Sequence, residues 1–145
     1  MCPKEVITLT KKEYLNQVYK MDKRLRILQR KVEKLRSALE YHSPSFDSCG
    51  GGSSSDRMPD TISKIMEYEQ HAEELRAQFV RRYTEIDDAI HNVEGDTLRE
   101  VLERRYLLYQ KWDQIAAEMH YSRRRVTQLH GKALEKISLN FPIEV

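Results

Sequence analysis

From position 14 onward apolar residues recur at alternating steps of four and three: Tyr14, Val18, Met21, Leu25, Leu28, Val32, Leu35 and Leu39. That spacing keeps a single stripe on one side of a helix, a heptad seam of the a/d kind. The positions between are mostly Lys, Arg, Glu and Gln, so the seam has a solvated back. Thr10 and Glu13 stand at capping-box spacing and set the expected start. About thirty residues at a rise of ~1.5 Å make a rod of roughly 45 Å.

A second helical pattern follows after Asp60, its expected N-cap: Ile65, Tyr68, Ala72, Leu75, Phe79, Ile86, Ile90 and Val93, with a break near Arg82 and Tyr83. Between the rods, residues 42–59 hold a Ser-Pro pair, a Cys-Gly-Gly-Gly run and three serines in a row, a flexible-linker composition. Gly50, Gly51 and Gly52 do not make a phosphate loop, because no strand precedes them and no Lys-Ser/Thr follows. Neither amphipathic rod can leave its seam in water. They either fold back as an antiparallel hairpin or pair with a second chain, and a homo-oligomer, a dimer through the long helices, is the expected assembly.

Val93-Glu94-Gly95-Asp96 closes the second rod, with Gly95 suited to a left-handed C′ position and Asp96 to the next N-cap. Three shorter helices are expected after it, over residues 97–109, 112–119 and 122–137. The fold class is therefore all-α: two long amphipathic, coiled-coil-like helices and then a compact three-helix unit. The domains divide as a helical hairpin or coiled-coil segment, 10–93, with its linker at 42–59, and a C-terminal domain, 96–140.

Composition sharpens this picture. The 145 residues are 33% charged and hold five glycines, three of them in one run, which favours solvated helices over an α/β body. Net charge is only +2, but residues 99–136 carry nine basic side chains against five acidic ones. The positive charge is concentrated at the C-terminal end. Cys2 and Cys49 have no partner at metal-ligand spacing, so free thiols in a reducing compartment are expected. With no apolar run of about 20 residues and no signal peptide, the protein is expected to be cytoplasmic, with no membrane partner. The histidines His42, His71 and His91 match no ligand pair, and His120 and His130 are ten apart, so neither metal nor cofactor is expected. The acids Glu73, Glu74, Asp87 and Asp88 read as a solvated helix side, and an enzyme is the least expected class.

The chemistry lies in Lys111-Trp112-Asp113-Gln114-Ile115-Ala116-Ala117-Glu118-Met119-His120-Tyr121-Ser122-Arg123-Arg124-Arg125-Val126-Thr127-Gln128-Leu129-His130. Ile115, Ala116 and Met119 share one helix face, with Ala116 small where two helices cross. Val126 and Leu129 face back from the next helix, and Ser122 is its N-cap. Trp112 is expected to anchor the core, and Tyr106 and Tyr109 to pack the three-helix unit. Arg123, Arg124, Thr127, Gln128 and His130 are expected to point outward, as candidate contacts to DNA bases; Arg and Gln bond guanine and adenine edges bidentately in the major groove. Lys111, Ser122, Arg125 and Lys132 are the candidate phosphate contacts.

The run from Ser122 to Ile137 resembles the last helix of region 4 of the sigma-70 family factors, where a Ser-Arg-Glu-Arg-Val-Arg-Gln-Ile-like segment reads the −35 promoter element. Val101 to Tyr106 is similar to the first helix of that region and Trp112 to Met119 to its second, so the likeness covers roughly residues 97–138. It implies a helix-turn-helix, with base contacts from Arg123, Arg124 and Gln128 and phosphate contacts from Ser122, Arg125 and Lys132. This chain departs from the pattern with Arg124 and His130 where the family usually has Glu, and Thr127 where it often has Arg. His120 takes a turn position often held by Gly.

Nothing in the chain resembles the larger sigma region that binds core polymerase. Long helices before a sigma-like unit are similar to the layout of small phage and prophage proteins of Firmicutes, the ArpU/RinA-type regulators of late genes and related families. The resemblance implies a transcriptional regulator binding double-stranded DNA in a bacterial host cell, with RNA polymerase a candidate second partner. Two rival readings are a small terminase-like DNA-packaging subunit and a polymerase-binding module without DNA contact.

Overall fold

The capping box at Thr10 is formed: the Thr10 amide donates to Glu13 Oε2 at 2.8 Å, and the Glu13 amide donates to Thr10 Oγ1 at 3.3 Å. These two bonds occupy backbone donors that a helix start leaves open, and hydrogen bonding from Thr10 holds the Glu13 carboxyl below its ordinary pKa. Helix α1 then runs from Lys11 to Tyr41. The structure is a computed structural model that describes residues 9–41 and 57–139. Cys2, Cys49, Pro142 and residues 42–56 of the expected linker lie outside the described residues.

Helix α2 spans Arg57–His91, α3 Asp96–Leu102, α4 Trp112–Met119 and α5 Arg123–Lys136. Among the described residues the chain is all-helical, without a strand. Helix α2 begins earlier than expected, so Asp60 stands in its first turn instead of capping it. Pro59 does not prevent this start, because a proline in the first turn gives up no intrahelical bond. Gly95 has φ 106 and ψ 115, a backbone open to glycine, but it occupies the N-cap position of α3, and Asp96 is the first helical residue, paired with Arg99.

The described residues fall into two compact units, one within residues 1–20 and 80–145 and the other within 21–79. The chain therefore does not divide at Gly95, where the change from long to short helices suggested a boundary. The ends of α1 and α2 belong with the short helices. Lys11 Nζ donates to the carbonyls of Leu134 and Ile137 at 2.8 and 3.1 Å, and Tyr19 meets Tyr109 edge to face at 5.1 Å.

In the first unit α5 packs on both α3 and α4. Leu15, Val18, Ile86, Ile90, Val101, Leu102, Ile115 and Val126 are fully buried there. Tyr14 Oη is held by Glu85 and Arg82 at 3.2 and 2.6 Å. The expected single helix over 97–109 is interrupted. After Leu102 the chain makes a π-helical turn, Glu103–Leu107, with the Leu108 amide bonded five residues back to the Glu103 carbonyl at 3.0 Å. Such a turn widens the helix locally, and it leaves both Tyr106 and Leu107 buried. In the second unit Leu25 and Leu28 pack on Ala72, flanked by Tyr68, Leu75 and Phe79. Lys31 lies 5.2 Å from the Tyr68 ring centroid, and Arg36 pairs with Glu69. Within this unit Leu25 and Leu28 of the α1 seam meet α2 of the same chain, while Leu35 and Leu39 are half-buried.

Candidate nucleic-acid interface

Helix α4 ends at His120, whose φ 57 and ψ 39 are left-handed. This conformation costs a β-carbon-bearing residue something and turns the chain sharply. The turn is closed by the Tyr121 amide donating to the Ala116 carbonyl at 3.0 Å. Ser122 then caps α5, its Oγ accepting from the Arg125 amide at 3.1 Å. Ala116 is buried, in keeping with its expected place at a crossing of helices.

One side of α5 is sunk into the unit: Val126, Leu129, His130 and Ala133 are buried, and Ile137 just beyond it. At ~100° per residue these five fall within about 60° of Val126. The opposite side is Arg124, Thr127, Gln128, Gly131 and Glu135, all exposed. Beside this outward stripe, at roughly 240–280° from Val126, stand Arg125, Lys132 and Lys136. Lys136 was not among the expected contacts, and its spacing of four from Lys132 and eleven from Arg125 is the signal that places it on this flank. Arg124, Arg125, Lys132 and Lys136 have no acidic partner among the described residues.

The arginines Arg104, Arg105 and Arg123 near this face are engaged. Arg104 bonds Glu100 at 2.8 Å and pairs with Glu118, which raises its pKa further above the usual range. Arg105 donates to the Gln110 carbonyl at 2.9 Å and covers the Trp112 ring at 4.4 Å. Arg123 bridges to Asp113 of α4 at 3.4 Å with both side chains exposed. A pair so exposed contributes at most about 1 kcal/mol, so Arg123 can exchange it for another anion.

The expected outward set is thus corrected at one position. His130 is 6% exposed, so it faces the interior and cannot touch a base. Its Nε2 lies 2.7 Å from Tyr106 Oη, and its ring meets Trp112 edge-on at 4.7 Å. Four residues after Val126, it shares the buried face of α5. Burial first, then the nearby charges of Lys12 and Arg105, lower its pKa to about 4. The ring is therefore neutral at pH 7, and Nε2 and the tyrosine hydroxyl share one hydrogen bond whose direction follows the imidazole tautomer. Burial raises the Tyr106 hydroxyl to about 12. Trp112, half-buried between Arg105 and His130, is part of this packing.

The remaining expected contacts are exposed. Thr127, an exposed residue, donates its hydroxyl proton to the Arg124 carbonyl at 2.9 Å and keeps an acceptor lone pair and a methyl group. Ser122 uses one lone pair in its cap and keeps its O–H to donate, and Lys111 and Lys132 are exposed cations.

A model of one protein family matches residues 12–138, most of the chain. The chain belongs to the family described as Protein of unknown function (DUF722). The match takes in α4 and α5 whole, with all but the first residue of α1. No curated protein and no solved structure matches this DUF722 chain. No helix among its described residues is long and apolar enough to cross a membrane.

Proposed function

We propose that this DUF722 chain is a sequence-specific DNA-binding regulator of transcription of the phage or prophage type. Helices α4 and α5 act as its helix-turn-helix, and the N-terminal half of α5 enters the major groove. The observation that carries the reading is the bare outward stripe of Arg124, Thr127 and Gln128. Arg124 and Gln128 bear bidentate donors and acceptors, open to solvent, and the basic flank alongside has no acidic partner among the described residues. In that arrangement Arg124 and Gln128 read bases with help from Arg123 and Thr127. Arg125, Lys132, Lys111, Ser122 and the added Lys136 hold phosphates. His130 supports the helix from beneath. The likeness of residues 97–138 to sigma region 4 supports the same reading and makes RNA polymerase a candidate second partner, and the long helices are the candidate surface for a dimer. Chemistry on a substrate has no part in this function, and the bacterial cytoplasm is its setting.

Selection of bound duplexes from a random pool tests it, because a base-reading helix enriches one sequence. On that sequence Arg124→Ala and Gln128→Ala should each lose about 1–3 kcal/mol of affinity while barely changing affinity for random duplex. Lys132→Ala should weaken both alike. A pool that returns unenriched sinks the proposal. Light scattering separates packaging, since a terminase-like subunit forms a ring of many copies. Polymerase capture without any retention of DNA would leave an interaction module.

A further inference from the structure

The charges on α1 within the unit of residues 21–79 are sorted by direction. With Leu28 as reference and ~100° per residue, Leu25, Leu28, Val32, Leu35 and Leu39 all point within about 60° of one another's mean direction, toward the packed side. Lys23, Arg30 and Lys34 point to roughly 200–240°, on the opposite side. The acids of this segment, Asp22, Glu33 and Glu40, gather at about 120–140° and leave the cationic stripe free of carboxylates. Lys23, Arg30 and Lys34 are exposed, and none has an acidic partner among the described residues. By contrast Arg26 is held by Asp22 at 3.1 Å and Arg36 by Glu69.

Some of the acids that α2 offers are engaged, while Asp60, Glu74, Asp87 and Asp88 form no ion pair among the described residues. Glu67 pairs with Lys64 at 3.1 Å, Glu73 with Arg76, and Glu69 with Arg36. The stripe calls for a run of anions, which the duplex proposed as the ligand of α5 supplies. Pairing with a second copy of the chain, whose Glu33, Glu40 and Glu74 form no ion pair among the described residues, is the alternative that the oligomeric state tests. From Lys23 to Lys34 the helix rises about 16 Å.

We propose that Lys23, Arg30 and Lys34 form a second contact for duplex DNA, one that grips the phosphate backbone without reading bases. The inference rests on the chain being a DNA-binding protein and adds to it a sequence-independent hold from α1. Long flexible cations on a solvated helix side suit this role, because a phosphate chain asks for charge and not for fixed geometry.

The test is the salt dependence of binding, followed by fluorescence anisotropy on the selected site and on random duplex. The triple variant Lys23→Gln, Arg30→Gln, Lys34→Gln should flatten the slope of log affinity against log salt by about 2–3 on both duplexes. It should leave their affinity ratio unchanged. Single Lys34→Gln should remove about 0.9 of slope, and Lys23→Arg with Lys34→Arg should keep the parent slope. Circular dichroism checks that helicity is retained. A triple variant with the parent's slope overturns the proposal, as does one that changes the oligomer while binding DNA normally. If the triple variant matches the parent while Arg124→Ala loses selectivity, the stripe is wrong and the regulator stands. If the slope falls while Arg124→Ala and Gln128→Ala lose no selectivity, the stripe stands and base reading by α5 fails.

Discussion

His130 makes folding stability depend on pH in a way that can be isolated. The ring is buried against Tyr106 and Trp112 with its pKa lowered from 6.5 to about 4. Below about pH 6.5 the unfolded chain takes up a proton at this position, and the native chain does so only near pH 4. Between those limits the unfolded state binds more protons, so stability is full above about pH 6.5 and falls as pH drops toward 4. A difference of about 2.5 pH units at ~1.36 kcal/mol each gives a loss of about 3 kcal/mol across that window, on the order of 10 °C in melting temperature. Carboxylates titrate in the same range, so the parent is compared with His130→Leu, which keeps their contribution and removes the imidazole. At neutral pH the variant should be less stable by about 1–3 kcal/mol, because the buried Tyr106 hydroxyl loses its hydrogen-bond partner. Urea unfolding followed by far-UV circular dichroism at a series of pH values gives both curves. The gap between them should close by about 3 kcal/mol on going from neutral pH to pH 4. Curves that stay parallel would refute a buried neutral histidine and return His130 to the solvent side of α5.

Three further outcomes are expected. Gly131→Ala should raise stability by about 0.5–1 kcal/mol in thermal melts, since an added β-carbon there meets nothing within 4 Å. The same methyl sits on the outward stripe, so it should weaken duplex binding in gel shifts. Ser122→Ala removes the oxygen that accepts from the Arg125 amide and should lower stability by about 1 kcal/mol, read from urea midpoints. Leu15→Ala opens a cavity at a position that is 0% exposed and should cost about 2–5 kcal/mol by the same measurement, whereas Leu35→Ala, at a half-buried position, should cost less.

The long helices were legible because their periodicity is strong and their start carries a cap. Tyr14, Val18, Leu25, Leu28 and Val32 are all buried as the spacing predicts. Leu15 escaped that logic: neighbours in sequence are ~100° apart on a helix, so a Tyr14 and a Leu15 that are both buried require a covered arc wider than one seam. The limits of α4 are those expected, and the Ser122 cap is in place. The π-helical turn at Glu103–Leu107 breaks the 3.6-residue period, since buried Val101 and Leu102 are followed five residues on by buried Tyr106 and Leu107, a spacing that the expectation of one regular helix over 97–109 passes over. Within the candidate site the miss was His130. Residue type alone puts it on the polar side, although Val126, His130, Ala133 and Ile137 follow the i, i+4, i+7, i+11 spacing of one helix face. Periodicity outranks residue type there, because Tyr106 supplies the hydrogen bond that makes burial of an imidazole tolerable.

Placing His130 underneath α5 also changes what the outward face can do. With the imidazole removed, the stripe narrows to Arg124, Thr127, Gln128 and Gly131, and toward its C-terminal end only a glycine and then Glu135 face outward. Gly131 fills no tight space in the fold, and a mid-helix glycine lowers stability relative to alanine, so folding gives no reason for it. A groove wall or phosphate chain coming close to the helix one turn beyond Gln128 would give such a reason, since any β-carbon there would stand between the two surfaces. The Gly131→Ala variant therefore sets folding against binding at one atom. A gain in melting temperature together with a loss of duplex affinity supports close docking of this face. A gain in stability with affinity untouched would mean that DNA does not approach α5 beyond its first two turns.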